Sequence, residues 1–224
     1  MRFNESYVDI KEIGGFIPAL KGMRNALNSW DRGDSYLNSN EELIIGENDL
    51  KLAQTLIKAG TEHCKFMRQI HVWMDINMPR YIWSELDTYH FNTKNSCSTM
   101  HRLLHKSVEI TKDLFIYDKK DEDVIEVVIK RLNKIREEYL IETNGRKKNK
   151  LIRRAKQLLP EGFLQLRTMD SNYSEIRNIV LQRRNHRLKE EWQDCFCKEM
   201  TKLPYAKELI FYGIEDEYER FVNE

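Results

Sequence analysis

The sequence predicts an α+β fold, mostly helical with one small antiparallel or mixed sheet, in a single domain covering residues 1–224. Three observations carry this. Ile70, Val72, Met74 and Ile76 alternate with His71, Trp73, Asp75 and Asn77, the period-2 pattern of a strand with two different faces. Several stretches instead repeat apolar residues at helical spacing. No internal repeat, low-complexity tract or Gly/Ser linker marks a place to divide the chain.

Each element has its own signal. From Asn48 the segment NDLKLAQTLIKAG starts on Asn/Asp, carries Leu50, Ala53, Leu56 and Ile57 on one face, and stops at Gly60, which reads as a short amphipathic helix. After the alternating strand, Pro79 suits the first turn of a helix bearing Tyr81, Ile82, Trp83 and Leu86. Residues 92–99 (NTKNSCST) have no periodicity and are rich in hydroxyl and amide groups, so they read as a loop. From Asp121 to Leu140, Val124, Val127, Val128, Arg131, Leu132, Ile135 and Tyr139 trace the stripe of a long helix, with Asn144-Gly145 as its stop. A second helix carries Leu151, Ile152, Ala155, Leu158 and Leu159 up to Pro160, and a third is expected from near Ser171 towards Met200.

Composition excludes several classes of function. With 37 Lys+Arg against 36 Asp+Glu, the net charge of +1 creates no global field to recruit nucleic acid or an anionic membrane. No apolar stretch approaches the roughly 20 residues needed to span a bilayer, and no secretory h-region opens the chain. Membrane insertion and secretion are therefore not expected. The 4 cysteines form neither a disulfide framework nor a CxxC zinc pattern, which suits reduced thiols in a cytoplasm. His101 and His105 stand at i, i+4 without a third ligand, so no metal site is expected. Walker, GxGxxG and GxSxG motifs are absent. The basic run Arg146-Lys147-Lys148-Asn149-Lys150 with Arg153-Arg154 reads as a solvated turn, and nucleic acid is not an expected partner. Cys97, four residues before His101, reads as an idle thiol rather than a nucleophile.

The third helix holds a physical oddity. Tyr173, Ile176, Ile179 and Val180 form its apolar face, and Asn172 and Arg183 fall on the same face. A guanidinium aimed inward needs partners, because burying a bare charge is prohibitive. It is either half of a structural ion pair or a fork presented to a planar acceptor such as a nucleobase edge or a phosphate.

Two stretches read together resemble the flavin-dependent thymidylate synthases. His63 to Arg102 (HCKFMRQIHVWMDINMPRYIWSELDTYHFNTKNSCSTMHR) resembles that family's strand, turn, helix and RHRxxSxNExSxR signature. Arg154 to Arg183 (RAKQLLPEGFLQLRTMDSNYSEIRNIVLQR) resembles its "AR..LP" helix end and its ligand-binding helix. The resemblance implies a thymidylate synthase-complementing (ThyX-like) fold and a nucleotide-sized pocket between subunits of a homotetramer. It places the signature's Ser, Asn and second Ser on Thr93, Asn95 and Ser98, the two helix asparagines on Asn172 and Asn178, the nucleotide-facing arginine on Arg183 and a phosphate-side arginine near Arg167.

The departures from the pattern are equally specific. The signature's Arg-His-Arg is Thr88-Tyr89-His90, its Glu is Ser96 and its last Arg is Met100, while the expected flavin-contacting His is Gln69 and the Gln before the signature is Glu85. Each lost arginine forfeits charge-assisted hydrogen bonds worth about 1.5 to 3 kcal/mol. Little or no bound FAD is therefore expected, with His90 and Tyr89 left as candidates for contacting a ring. The resemblance, to a divergent branch associated with phage and prophage genomes, implies a nucleotide-binding protein in a bacterial host cell that does not make dTMP in the ordinary way. The alternative it implies is an active pyrimidine methyl or hydroxymethyl transferase using FAD and methylenetetrahydrofolate.

Overall fold

The computed structural model describes residues 5–223. In chain order its regular elements are β1 (Tyr7–Gly14), α1 (Phe16–Met23), β2 (Tyr36–Leu37), β3 (Leu43–Ile44), α2 (Glu47–Lys58), β4 (His71–Pro79), α3 (Arg80–Leu86), β5 (Thr93–Ser96) and α4 (Thr99–Arg102). There follow α5 (Glu122–Ile141), α6 (Gly145–Leu158), β6 (Leu164–Asn172), α7 (Tyr173–Arg183), α8 (Lys189–Glu191), α9 (Lys198–Met200) and α10 (Glu215–Asn223). The main sheet has the order β1-β4-β6-β5, and β2 pairs antiparallel with β3. Among the described residues no helix is long and apolar enough to cross a membrane.

The chain divides into two compact units. One contains Ile76–Thr88 and Asn95–Arg167; the other contains Tyr7–Asp75, Tyr89–Lys94 and the chain from Thr168 onward. In the first, Leu132 and Ile135 of α5 and Ala155 of α6 pack with Leu104, Ile110 and Phe115 in one core. Asn133 latches the segment before α5, its amide donating to the Ile110 carbonyl at 2.7 Å and accepting from the Ile110 N–H at 3.2 Å.

In the second unit Ile70, just before β4, and Val72 and Met74 within it are fully buried, while His71, Trp73 and Asp75 are half-buried. The period-2 reading holds there. Ala53 and Ile57 of α2, and Tyr173, Ile176, Ile179 and Val180 of α7, are buried as their helical spacing predicts. Gly15 turns β1 into α1 at φ +91°, and a Cβ there would lie 2.2 Å from the Gln69 carbonyl oxygen, so only glycine fits. The buried Arg24 guanidinium pairs with Asp49, whose other oxygen accepts the backbone N–H groups of Asp34 (3.1 Å) and Ser35 (3.0 Å).

Several expectations are corrected. Residues 92–99 are not all loop, because Thr93–Ser96 form the edge strand β5: backbone pairing beside β6 outweighs their low strand propensity. The stripe of α5 is rotated, with Ile125, Leu132 and Ile135 buried but Val124, Val127 and Arg131 exposed. Asn144 does not stop α5, which ends at Ile141; it caps α6, its side chain accepting from the N–H groups of Arg146 and Lys147. The basic run after it is consequently helix rather than turn. The expected third helix begins two residues late, because Leu164–Asn172 is a strand, and α7 ends at Arg183. Beyond it Trp192–Cys197 form a wide π-helical turn between the short α8 and α9. His101 and His105 are exposed, and no group of three or more metal-ligating side chains occurs among the described residues.

Candidate functional site

In the second unit Asn172 is the last residue of β6 and the N-cap of α7. Its backbone is extended and its side-chain oxygen accepts the Glu175 N–H at 3.0 Å. Its amide nitrogen donates to the Phe91 carbonyl at 3.1 Å. The buried Glu175 carboxylate accepts the Phe91 N–H at 3.1 Å, so the first turn of α7 holds both polar groups of the Phe91 backbone. The Phe91 ring itself stands 63% exposed, with the Arg68 guanidinium 5.4 Å from its centroid.

A continuous hydrogen-bonded line runs along α7 from this clamp. Arg183 Nε donates to Tyr89 OH (2.9 Å), Tyr89 OH donates to Gln182 (3.1 Å), Gln182 donates to Asn178 (2.8 Å) and Asn178 donates to Glu175 (3.3 Å). Every donor points from the cation towards the carboxylate, an arrangement in which each bond polarises the next. The guanidinium of Arg183 also lies against two rings, 4.6 Å from the Trp192 centroid and 5.5 Å from that of Tyr89. Arg183 is half-buried, Tyr89 is buried, and the Gln182 and Asn178 amides are exposed.

Two clefts flank Phe91. One, of about 340 Å³, is lined by Arg68, His71, His90, Phe91, Asn92, Thr93, Asp170, Ser171 and Asn172. The other, of about 260 Å³, is lined by Thr61, Arg68, Phe91, Asn172, Ser174, Glu175 and Asn178. In the first, His71 Nδ1 lies 3.0 Å from Asp170 Oδ1, which orients the imidazole, and the ring stacks on Trp73 at 5.6 Å. The Ser171 hydroxyl and the Asn92 side-chain oxygen are buried without a hydrogen-bond partner among the described residues. Unsatisfied groups of this kind cost about 1 to 3 kcal/mol each. They make the wall of this cleft polar at places where folding alone gains nothing from polarity.

Of the residues singled out in the sequence, Tyr89, His90, Thr93, Asn172, Asn178 and Arg183 all fall in this second unit, around α7 and the segment facing it. Glu85, Asn95, Ser98 and Arg167 belong to the first unit. There Arg167 Nη1 bonds both oxygens of Asp87 (2.9 and 3.1 Å) and its guanidinium stacks on Trp83 at 4.2 Å. The Glu85 carbonyl accepts the Thr88 hydroxyl, and Asn95 lies exposed on β5. Ser98 lines a mainly apolar cavity of about 180 Å³ with Cys97, Arg102 and Leu103. The Cys97 backbone is tied to β6 through Leu166 and Gln165.

Sequence reasoning missed Glu175, Gln182, Phe91, Arg68 and the His71–Asp170 pair. Glu175 was discoverable, because Asn172 with Glu three residues on is the pattern of a capping box, although this carboxylate reaches Phe91 instead of its own helix start. The other four carry no local signal.

The fold is that of the flavin-dependent thymidylate synthases, mixed α and β with small sheets. Thymidylate synthase X (ThyX) from Helicobacter pylori, solved with FAD and dUMP, superposes with a TM-score of 0.68 over 94% of this chain and 99% of its own, at 16% identity. A second structure of the flavin-dependent enzyme from the same organism, also complexed with FAD and dUMP, gives 0.66 over 92% and 98%, at 17% identity. No family model and no curated protein matches the sequence.

Proposed function

We propose that this protein binds a nucleotide through α7 and the facing segment Tyr89–Lys94, in a ThyX-like pocket put to a use other than ordinary dTMP synthesis. The observation that carries the reading is the line from Arg183 through Tyr89, Gln182 and Asn178 to Glu175. Its amides face solvent beside an exposed aromatic ring, and a cation closes one end. A planar base stacks on a ring such as Phe91, and its donor and acceptor edge suits carboxamides. The half-buried Arg183 supplies the charge-assisted bond.

Asn172 acts as the organiser of the site, since both ends of its amide are already engaged. His90, Thr93 and Asn178 are the proposed direct contacts in this unit; Arg167, Asn95, Ser98 and Glu85, which belong to the other unit, are proposed as ligand contacts of that unit taken by itself. The protein is proposed to be a single ThyX-like domain, of phage origin and acting in the bacterial cytoplasm, that assembles as a homotetramer. There it sequesters or modifies its nucleotide. Both superposed structures hold FAD and dUMP, which favours one second reading: a flavin-dependent pyrimidine methyl or hydroxymethyl transferase.

Native mass spectrometry of the purified protein tests the proposal. A copurifying nucleotide that is lost in Arg183→Ala supports nucleotide binding. Stoichiometric flavin supports the transferase reading, and a chain with neither ligand, unresponsive to added nucleotides, contradicts both.

A further inference from the structure

α6 spans Gly145–Leu158 (GRKKNKLIRRAKQL) and contains no acidic residue. Three of its cations have partners: Lys147 lies 4.0 Å from Glu142, Arg154 lies 3.3 Å from Glu138, and Lys148 sits over the Tyr139 ring. Arg146, Lys150, Arg153 and Lys156 are exposed and have no ion-pair partner among the described residues. At about 100° per residue these four, with Asn149 and Gln157, fall on one side of the helix. The opposite side contributes Ala155 to the core.

This arrangement opposes helix stability. Arg146 and Lys147 occupy the first turn, where the positive end of the macrodipole disfavours cations by about 0.3 to 1 kcal/mol each. The exposed cations also neighbour one another at i+3 and i+4, a like-charge spacing that costs about 0.2 to 0.5 kcal/mol per pair. In a chain whose net charge is only +1, so one-sided a helix is a local feature rather than a reflection of composition.

We infer that this face of α6 is a docking surface for the phosphate backbone of a nucleic acid. Charge complementarity selects the partner. The four cations follow one another at about 4.5 to 6 Å along the axis, well inside a Debye length of roughly 10 Å, so their fields add. A single phosphate engages one or two of them. A strand with one negative charge about every 3.4 Å engages all four and releases counterions as it does so. Asn149 and Gln157, interleaved with the cations, offer amides to sugar and base edges. A cleft bordered by Asn149, Ile152, Arg153 and Lys156 lies along the same face.

The test is fluorescence anisotropy of the full chain with labelled mixed-sequence 20-nucleotide single strands and duplexes, at several salt concentrations. Wild type is compared with the double variant Lys150→Glu/Arg153→Glu. Wild type should bind with strong salt dependence, and the variant should lose about tenfold or more in affinity with a salt slope shallower by roughly 1.4 to 1.8. Its melting temperature should equal or exceed that of wild type, since like-charge repulsion is relieved. Equal binding by the variant, or no binding by wild type at low salt, overturns the inference. So does equally tight binding to anionic vesicles or to a poly-glutamate peptide, or competition by dUMP at the concentrations that displace the strand. Loss or retention of strand binding in the double variant leaves the α7 reading untouched, because neither substitution lies on α7 or its facing segment.

Discussion

Arg183 and Glu175 stand two turns apart on α7 as the positive and negative ends of one hydrogen-bonded line that passes through Tyr89, Gln182 and Asn178. The line does two things at once. It fixes the segment carrying Phe91 against the helix start, and it presents exposed amides of defined direction along the helix. A guanidinium wedged between the Tyr89 and Trp192 rings is also pre-oriented, so less side-chain entropy remains to be lost when it meets a ligand.

Arg183→Ala removes a bond to Tyr89 and two cation–π contacts. Destabilisation of about 1 to 3 kcal/mol is expected, together with loss of most nucleotide-induced stabilisation. Arg183→Lys should recover part of the stability but little of the binding, because an ammonium cannot reproduce the planar fork. Melting curves of both variants, with and without nucleotides, check this.

Glu175→Ala should release the Phe91 backbone, leaving its N–H without the carboxylate acceptor at a cost of about 1.5 to 3 kcal/mol, the scale for hydrogen bonds to charged groups. Glu175→Gln keeps an acceptor and should lose less. Amide hydrogen exchange at Phe91 separates the variants, being fast in Glu175→Ala and slow in wild type.

Asp49 predicts an acid-sensitive fold. Burial alone would push its carboxyl up, but hydrogen bonds from Ser35, Arg24 and Asp34, together with the Arg24 charge, hold it below the usual carboxylate range. A depressed folded-state value contributes stability that is present above the unfolded value of about 3.9 and is lost as pH falls through the folded value. Asp49→Asn, which leaves the Arg24 charge buried and unmatched, should cost about 3 to 5 kcal/mol at pH 7. Its urea unfolding midpoint should then vary less than that of wild type between neutral and acid pH.

The four thiols should separate into two classes. Cys197 is fully buried, and burial pushes its thiol up to about 12, while Cys64 is buried and also raised by desolvation. Cys97 and Cys195 are half-buried. Iodoacetamide at mild alkaline pH should label Cys97 and Cys195 first, with Cys64 and Cys197 reacting only on unfolding.

How far the sequence discloses this molecule depends on how local each signal is. The β4 alternation and the apolar faces of α2 and α7 are local patterns, and the buried residues fall where those patterns put them. The strand Leu164–Asn172 is different. Leu164, Leu166, Thr168 and Ser171 follow no clean alternation, and the segment becomes a strand through pairing with distant partners. At the site, Arg183 was legible because a charge on an apolar face demands an explanation. Phe91 was not, because one aromatic residue in a polar stretch acquires meaning only from the two bonds that Asn172 and Glu175 make to its backbone, more than 80 residues away in sequence.

Isothermal titration calorimetry decides whether α7 and its facing segment bind a nucleotide. Wild type, Arg183→Ala and Phe91→Ala would each be titrated with a panel containing dUMP, dTMP, dCMP, their ribonucleotide counterparts and FAD. Saturable binding of at least one nucleotide to wild type is expected, weakened by about tenfold or more in each variant, consistent with a lost charged hydrogen bond or a lost stacking contact of about 1.5 kcal/mol or more. Binding of the same affinity in all three proteins, or heats of dilution only across the whole panel, would contradict it.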